Sequence, residues 1–172
     1  MLQESNAVIV DADAIARAAT APGGSAMQAI RLQLGDEYVG ADGGLDRARM
    51  RKQAFSDPAV KEKLEKIVHP LVRNAILQQT RLAEEHNPPC IVYDIPLLVE
   101  SGQWRQILDR VIVVDCEPET QIRRVQQRSD LHPDAILSIM AAQAPRVQRL
   151  RAADLVLCND GISLSQLETQ VQ

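Results

Sequence analysis

The sequence predicts an α/β protein built on a parallel sheet. Helical stretches separate its strand candidates, and strands joined by helices form parallel sheets with right-handed crossovers. With 172 residues, 45% of them apolar, the chain fits one domain with a real core. The strand candidates are short apolar runs, typical of buried strands, at Val8–Val10, Cys90–Asp94, Arg110–Asp115 and Asp154–Cys158.

The composition argues against several classes of function. A net charge of −4 argues against general binding to nucleic acids or anionic membranes. One Trp, two Tyr and one Phe offer little surface for stacking bases. No apolar run approaches the ~18 residues of a membrane span, and the N-terminus has no signal-peptide pattern. We therefore expect a soluble cytoplasmic protein.

The three cysteines lack the spacing of metal ligands. Each lies in or beside a predicted strand, so we expect small, buried, unpaired thiols in a reducing compartment. They are Cys90, Cys116 and Cys158.

Two carboxylates follow the first strand with one residue between them. In open α/β sheets, ligands bind at the carboxyl edge of the strands, where Asp11 and Asp13 would stand. If the strand continued, both side chains would point the same way and could share a site. A polar strand end or a helix N-cap explains the same pattern, and local sequence alone favours that simpler interpretation.

Residues from about 25 to 88 are predicted to be mostly helical. Ser25 is a candidate N-cap for a helix that Gly35 ends, and Asp57-Pro58 has the pattern of an N-cap and first helical position. Pro70 is expected to interrupt the next helix or to start another. His69 would then lie at a helix junction, where a surface or hydrogen-bonding role is the simpler explanation.

The region from about 117 to 151 is helical and rich in arginine. Its only carboxylates between Arg123 and Arg151 are Asp130 and Asp134. Uncompensated guanidinium groups in an acidic protein point to phosphate binding, although a solvated helical hairpin is an alternative. The layout suits a lid that closes over a triphosphate, broken at its tip by His132-Pro133. Arg124 and Arg128 lie one helical turn apart and could reach one anion.

Several short motifs, in this order along the chain, together resemble the dephospho-CoA kinase family. The first is Val-Ile-x-Asp-Ala-Asp-x-Ile-Ala-Arg at 8–17. The resemblance covers essentially the whole chain, and the combination is specific although each piece is short. The remaining motifs are Ala41–Arg47, His69–Arg73, Ile95–Glu100, Ala141–Arg146 and Ala153–Gly161.

The resemblance implies a single domain over 1–172 with a P-loop-kinase-like, three-layer parallel sheet and a helical lid. It implies transfer of the γ-phosphoryl group of ATP to the ribose 3′-hydroxyl of dephospho-CoA, giving CoA, with Mg²⁺ present. The implied partners are the small molecules ATP and dephospho-CoA, in agreement with the absence of nucleic-acid and membrane signals, and the oligomeric state stays open.

The resemblance also implies roles for individual residues. Asp13 matches the carboxylate that orients the acceptor hydroxyl and takes its proton, and Asp94 is a candidate metal-site residue at the end of the second strand. The acceptor would contact Asp11, Arg17, His69, Pro96 and Leu97. The nucleotide and its phosphates would contact Arg124, Arg128, Arg146 and Asn159.

One departure from the family pattern concerns the phosphate loop. The family opens with a strand and a Gly-x-x-x-x-Gly-Lys-Ser/Thr loop, and this sequence contains no such motif. We expect that roughly twenty residues, a first strand with its loop and most of a helix, are missing. An alternative function is therefore a truncated, catalytically impaired relative that only binds the acceptor nucleotide. A different small-molecule kinase fits the lid but not the other motifs.

Overall fold

The computed structural model describes residues 2–102, 104–129 and 131–171. The chain forms two compact units. The N-terminal unit comprises Gln3–Pro96, and the C-terminal unit comprises the chain from Leu97 onward with Leu2. A single domain over the whole length stays a prediction.

The N-terminal unit combines a parallel strand pair with helices. Strands β1 and β2 run parallel, with Val8 opposite Ile91 and Asp11 opposite Asp94. Both strands lie where the sequence predicts them, which confirms the α/β class. The elements are β1 (Val8–Asp11), α1 (Ala12–Ala19), α2 (Met27–Gln33), α3 (Arg47–Ser56), α4 (Pro58–Glu84) and β2 (Ile91–Asp94).

A contiguous apolar core holds the helices of this unit together. Ala26, just before α2, and Ile30, within α2, are fully buried. Helix α4 packs against α1, α2 and α3. Burying a large apolar side chain such as Ile30 or Met27 is worth about 1.5–3 kcal/mol. The buried cluster consists of Ala19, Ala26, Met27, Ile30, Tyr38, Met50 and Ile67.

Two predicted helix starts have different outcomes. Asp57 caps α4 by accepting the N–H of Ala59 at 2.9 Å, with Pro58 in the first turn, as predicted. The prediction that Ser25 caps a helix is wrong, because α2 begins at Met27 and has no side-chain cap. The N–H of Met27 instead donates to the backbone carbonyl of Gly24 at 3.1 Å. The preceding turn therefore provides the hydrogen-bond acceptor that a side-chain cap would otherwise supply.

The prediction that Pro70 ends a helix is also wrong. Helix α4 runs through it without a break, so His69 lies within a helix and not at a junction. A proline inside a helix costs about 3 kcal/mol relative to alanine. Ile67 and Ile76 are both buried on either side of it, and their burial is large enough to offset that cost.

The C-terminal unit repeats the combination of parallel strands and helices. Strands β3 and β4 run parallel, with Ile112 opposite Leu155 and Asp115 opposite Cys158. The elements are α5 (Leu98–Ser101), β3 (Ile112–Asp115), α6 (Pro118–Arg128), α7 (Pro133–Ala141), α8 (Arg146–Ala152), β4 (Leu155–Cys158) and α9 (Leu164–Val171).

Two helix starts in this unit lie where short sequence signals predict them. His132 caps α7, with Pro133 in its first turn, at the predicted break between lid helices. The N–H of Gln166 donates to the Ser163 hydroxyl at 3.2 Å, and the Gln166 side chain accepts the N–H of Ser163 at 2.8 Å. The sequence indicates Ser163 as the N-cap of a final helix, and this reciprocal pair, a capping box, confirms it.

Burial of the strands in this unit, and of the cysteines in both units, is lower than predicted. Val114 and Leu155 on the paired strands are 60% and 56% exposed. Few apolar side chains are buried in the described part of this unit, so the strand faces stay partly uncovered. The three thiols are unpaired, but Cys90 and Cys158 are exposed and Cys116 is partly buried, so the expectation of buried cysteines is wrong.

Among the described residues, no helix is both long and apolar enough to cross a lipid bilayer.

Candidate functional site

The carboxyl edge of the first strand pair carries two neighbouring aspartates. Asp11 ends β1, Asp94 ends β2, and the two are opposite each other in the register. Neighbouring strands lie about 4.8 Å apart, so both residues stand side by side at the edge where open α/β sheets bind ligands. The structure thus brings together two residues that the sequence predicts separately.

Asp13 reaches this region from a helix and not from the strand. β1 ends at Asp11 and α1 begins at Ala12, so the idea that a continuing strand aligns Asp11 and Asp13 is wrong. The chain turns because Asp11 is the N-cap, whose Oδ1 accepts the N–H of Ala14 at 2.8 Å. The N-cap interpretation therefore holds for Asp11, while Asp13 lies exposed in the first turn of α1.

Arg17 joins the two carboxylates. Its guanidinium lies 3.6 Å from Asp11 Oδ2 and 3.8 Å from Asp13 Oδ2, the latter pair at i,i+4 on α1. All three side chains are at least partly exposed, so a ligand can reach them from solvent. The cluster combines an arginine that can hold an anionic ligand with a carboxylate that can accept a proton.

Sequence reasoning missed a residue that supports Arg17. Arg47 Nη2 donates to the Arg17 carbonyl at 3.3 Å and to Thr20 Oγ1 at 3.1 Å. These contacts fix the last turn of α1 to the start of α3. The spread of Arg47, Arg49 and Arg51 around this helix indicates a solvated face, and all three are exposed. Only the fold shows that Arg47 also bonds to the end of α1.

A cleft of about 500 Å³ opens beside Asp11 in the N-terminal unit. His69 does not line this cleft. It precedes the lining residue Leu71 by two positions, and two residues of an α-helix span about 200°, so His69 lies on the other face of α4. The lining is mostly apolar and consists of Ile9, Asp11, Ala14, Ile15, Ala18, Ala19, Ser25, Leu71, Ala75 and Gln79.

Pro96 and Leu97 follow the end of β2 and are both exposed. Leu97 has a φ of +56°, a left-handed conformation that costs an L-residue about 1–2 kcal/mol. Strained backbone of this kind persists only where the surrounding structure holds it, and it is concentrated at functional sites.

Arg146 is the most strongly paired arginine among the described residues. Its Nη2 lies 2.7 Å from Asp115 Oδ2 and its Nη1 lies 2.7 Å from Glu117 Oε2, and further bonds make both contacts bidentate. Hydrogen bonds to Asp115, and then to Glu117, raise the pKa of Arg146 above its usual value. The description of the lid arginines as uncompensated is therefore wrong for Arg146, which has one Nη1 hydrogen left for another ligand.

The loop after β4 is bound to the start of α6 through Asp160. Its carboxylate accepts the N–H of Glu117 at 2.9 Å and the Thr120 hydroxyl at 2.8 Å. These bonds, in that order, with a smaller contribution from the charge of Arg124, lower the pKa of Asp160. From the sequence alone, Asn159-Asp160-Gly161 indicates only the turn that follows this strand.

Arg124 on α6 contacts Asn159 in this loop. Arg124 Nη2 lies 3.5 Å from Asn159 Oδ1, and the N–H of Asn159 donates to the Asp115 carbonyl at 2.8 Å. Arg128 lies one turn further along α6 and is exposed. Two residues that sequence reasoning assigns to the nucleotide thus lie in contact.

The described residues contain no group of three or more His, Cys, Asp or Glu side chains placed to hold a metal ion. Asp11 and Asp94 offer two carboxylates at one edge. Mg²⁺ commonly takes only one or two protein carboxylates, with water and substrate phosphates completing its shell.

Comparison with known proteins identifies the family. The dephospho-CoA kinase family model matches residues 1–165. A dephospho-CoA kinase of Albidiferax ferrireducens is 48% identical over 171 residues, which cover 99% of this chain and 81% of that protein. A dephospho-CoA kinase of Bordetella parapertussis is 52% identical over 161 residues, 94% of this chain and 74% of that protein.

Solved structures show the same fold. A crystal structure from Thermus thermophilus superposes with a TM-score of 0.79 at 34% identity, covering 99% of this chain and 84% of that one. A dephospho-CoA kinase from Campylobacter jejuni gives a TM-score of 0.66 at 23% identity, covering 98% and 83%. The latter likeness supports the fold alone.

The parallel strand pairs, the carboxylates at their ends and the arginine-bearing helices are those of an ATP-dependent phosphotransferase with a P-loop-kinase-like fold. The chain belongs to the dephospho-CoA kinase family. This family phosphorylates dephospho-CoA in the last step of coenzyme A biosynthesis, so the enzyme class and pathway predicted from the sequence are confirmed.

Proposed function

We propose that Asp13 is the carboxylate that accepts the proton of the dephospho-CoA 3′-hydroxyl. The observation that carries this proposal is the contact of Arg17 with both Asp11 and Asp13. Asp11 already accepts the Ala14 N–H as an N-cap, whereas the side chain of Asp13 is 63% exposed and has lone pairs to spare. Asp13 is thus better suited to proton transfer, and Asp11 to orientation.

The reaction forms a bond between the acceptor 3′-oxygen and the γ-phosphorus of ATP and breaks the bond from that phosphorus to the β,γ-bridging oxygen. The hydroxyl proton passes to the Asp13 carboxylate and then to solvent, and ADP leaves. Such transfers depend mainly on positioning and charge neutralisation.

In the N-terminal unit, Arg17 and Asp11 hold the acceptor nucleotide, with His69 and Pro96 as further contacts. Support for Arg17 and Asp11 comes from their geometry, and support for His69 and Pro96 comes from the sequence motifs alone. Leu97, at the start of the C-terminal unit, gives an apolar contact, favoured by its exposure and left-handed backbone.

In the C-terminal unit, Arg124, Arg128 and Arg146 contact the phosphates of ATP, and Asn159 contacts its adenine. Arg124 and Arg128 are exposed on one face of α6, so they are expected to carry most of the phosphate binding. Arg146 contributes its remaining N–H while Asp115 and Glu117 hold its plane in place.

Mg²⁺ would be held by Asp94 with Asp11 beside it. When bound, it would neutralise charge on the phosphates. Two carboxylates in register at the edge of β1 and β2 fit this ion.

A cytoplasmic location, expected from the sequence, is part of the same proposal.

A coupled ADP-release assay on this 172-residue chain, with ATP, Mg²⁺ and dephospho-CoA, tests the proposal. Calorimetry with dephospho-CoA alone accompanies it. Turnover that Asp13→Ala abolishes, with acceptor binding kept, supports the assignment. Binding without turnover in the parent chain would instead favour the acceptor-binding alternative, and turnover that survives Asp13→Ala would exclude Asp13 as the base.

A further inference from the structure

A single side-chain hydrogen bond ties the short helix α5 to the turn before α8. Glu100 Oε1 accepts the N–H of Ala144 at 2.6 Å, across 44 positions of the chain. Ala144 is only 7% exposed, so its N–H has little access to water as an alternative partner. A buried N–H left without an acceptor costs about 1–3 kcal/mol.

Helix α5 depends on such an anchor. It is a single turn over Leu98–Ser101, and isolated helices this short do not form on their own. It begins directly after Leu97, whose left-handed backbone must be held by its surroundings. The bond from Glu100 ties this same turn to Ala144.

The carbonyl of Ala144 is hydrogen-bonded as well as its N–H. Arg149 Nη1 donates to the Ala144 carbonyl at 2.7 Å. The next residue is Pro145, whose carbonyl accepts the N–H groups of Gln148 and Arg149 at 2.8 and 3.1 Å and so starts α8. The position of Ala144 therefore determines where the first turn of α8 begins.

That first turn begins with Arg146. The guanidinium of Arg146 binds Asp115 at the end of β3 and Glu117 at the start of α6. Within the C-terminal unit, an unbroken series of contacts thus leads from Leu97 through Glu100 and Ala144 to Arg146.

We propose that Glu100 is a positioning residue that couples the acceptor contact at Leu97 to the phosphate contact at Arg146. The inference rests on the roles given to Leu97 and Arg146 in the proposed function. When dephospho-CoA orders Leu97 and α5, the bond from Glu100 orders Ala144 and the start of α8, and ATP binds more tightly. By reciprocity, ATP raises the affinity for dephospho-CoA by the same factor.

The test measures the dissociation constant of a non-hydrolysable ATP analogue by calorimetry, with and without saturating dephospho-CoA. The ratio of the two constants is the coupling. We expect at least about fivefold in the parent chain, within the usual range of such couplings. Glu100→Ala should bring the ratio close to one, and Glu100→Gln, whose amide oxygen can still accept the Ala144 N–H, should largely restore it.

Glu168→Ala is the matched control, because Glu168 is an exposed glutamate on α9. A merely structural role for Glu100 would weaken both ligands or lower the melting temperature while the ratio stayed unchanged, and that result overturns the inference. Failure of the parent chain to bind either ligand would remove the proposed function and this inference together. Binding of both ligands with a ratio of one overturns the inference alone.

Amide exchange at Ala144 gives an independent measurement. Glu100→Ala should speed exchange of this N–H at least tenfold, and Glu100→Gln should not. If Glu100→Ala does not fold, Glu100→Asp replaces it, because the shorter side chain no longer reaches the N–H. Unchanged exchange in these variants would show that Glu100 does not hold Ala144.

Discussion

The N-terminal and C-terminal units are stabilised in different ways. The former has a contiguous apolar cluster around Ile30. In the described part of the latter, the buried apolar residues are few, and Val114 and Leu155 on its strands stay more than half exposed. Its elements are instead joined by side chains that bond across long stretches of sequence, as in the pairs Arg146–Asp115 and Asp160–Thr120.

This difference bears on how each unit responds to change. Hydrophobic burial is non-directional and nearly independent of pH, whereas charge-assisted hydrogen bonds depend on geometry, salt and protonation. We therefore expect the N-terminal unit to be sensitive to cavities and the C-terminal unit to be sensitive to charge. The single Trp104 lies in the C-terminal unit, so its fluorescence reports on that unit.

The largest expected effect is on catalysis in the N-terminal unit. Asp13→Asn should lower kcat by about 10²–10⁴-fold, the usual contribution of a positioned general base. The Kd for dephospho-CoA should change by only a few fold, because Arg17 and Asp11 remain. Steady-state kinetics and calorimetry measure the two quantities.

Asp36→Asn is the control for Asp13→Asn, since Asp36 is an exposed aspartate of the same unit outside the cleft. A kcat for Asp13→Asn within threefold of the Asp36→Asn value would contradict the role of Asp13. It would leave the Arg17 cluster as a binding feature only.

A matched pair of isoleucines tests the contrast in packing. Ile30 is 0% exposed within the cluster, and Ile136 is 2% exposed on α7. Ile30→Ala should cost about 3–5 kcal/mol of unfolding free energy and Ile136→Ala about 2–3 kcal/mol, because a sparser environment closes more easily around the cavity. Urea unfolding followed by circular dichroism and by Trp104 fluorescence measures both.

We expect one unfolding transition for each unit, so each transition is fitted by itself. Equal losses for Ile30→Ala and Ile136→Ala would show that the C-terminal unit is packed as firmly as the N-terminal one, and the comparison would fail.

Features set by neighbouring residues could be predicted from the sequence. The four strands, the Asp57-Pro58 helix start and the Ser163 cap all depend on side chains within a few positions. The pairing of Asp11 with Asp94 also follows, once parallel order is assumed, because both end hydrophobic strands.

Features that depend on distant partners could not be predicted in this way. Helix α4 continues through Pro70 because burial on either side outweighs the local cost, and local rules contain only that cost. Arg146 finds Asp115 and Glu117, 31 and 29 positions earlier, and no spacing rule joins them. A signal was available, since Asp115 ends a strand as Asp11 and Asp94 do.

Removing the arginine at the centre of the C-terminal contacts should have a smaller effect, confined to that unit. Arg146→Met leaves the Asp115 carboxylate, only 13% exposed, without its cation. The melting temperature seen by Trp104 should fall by several degrees and depend less on salt. Arg146→Lys should recover only part of the loss, because an ammonium cannot make both bidentate contacts. A parallel fall in the transition of the N-terminal unit would contradict the separation.

The smallest expected effect concerns acid stability and Asp160. Its pKa is lower in the folded than in the unfolded chain, so the unfolded chain binds more protons and acid favours unfolding. The stabilisation is complete above the unfolded value of about 4 and is lost as the pH falls through the lower folded value. In Asp160→Asn, the loss of stability below pH ~4, followed by Trp104 fluorescence, should be less steep. Stability at neutral pH should also fall, because the amide NH₂ cannot accept a hydrogen bond from one of the two donors, the Glu117 N–H and the Thr120 hydroxyl.

Asp109→Asn makes the same change of charge at an exposed aspartate in the same unit. It should leave the acid limb of the stability curve as steep as in the parent chain. If both variants flatten that limb equally, the cause is the net charge of the chain and not the bonds from Glu117 and Thr120. The acid response would then no longer distinguish a unit joined by directional contacts from one held by its apolar core.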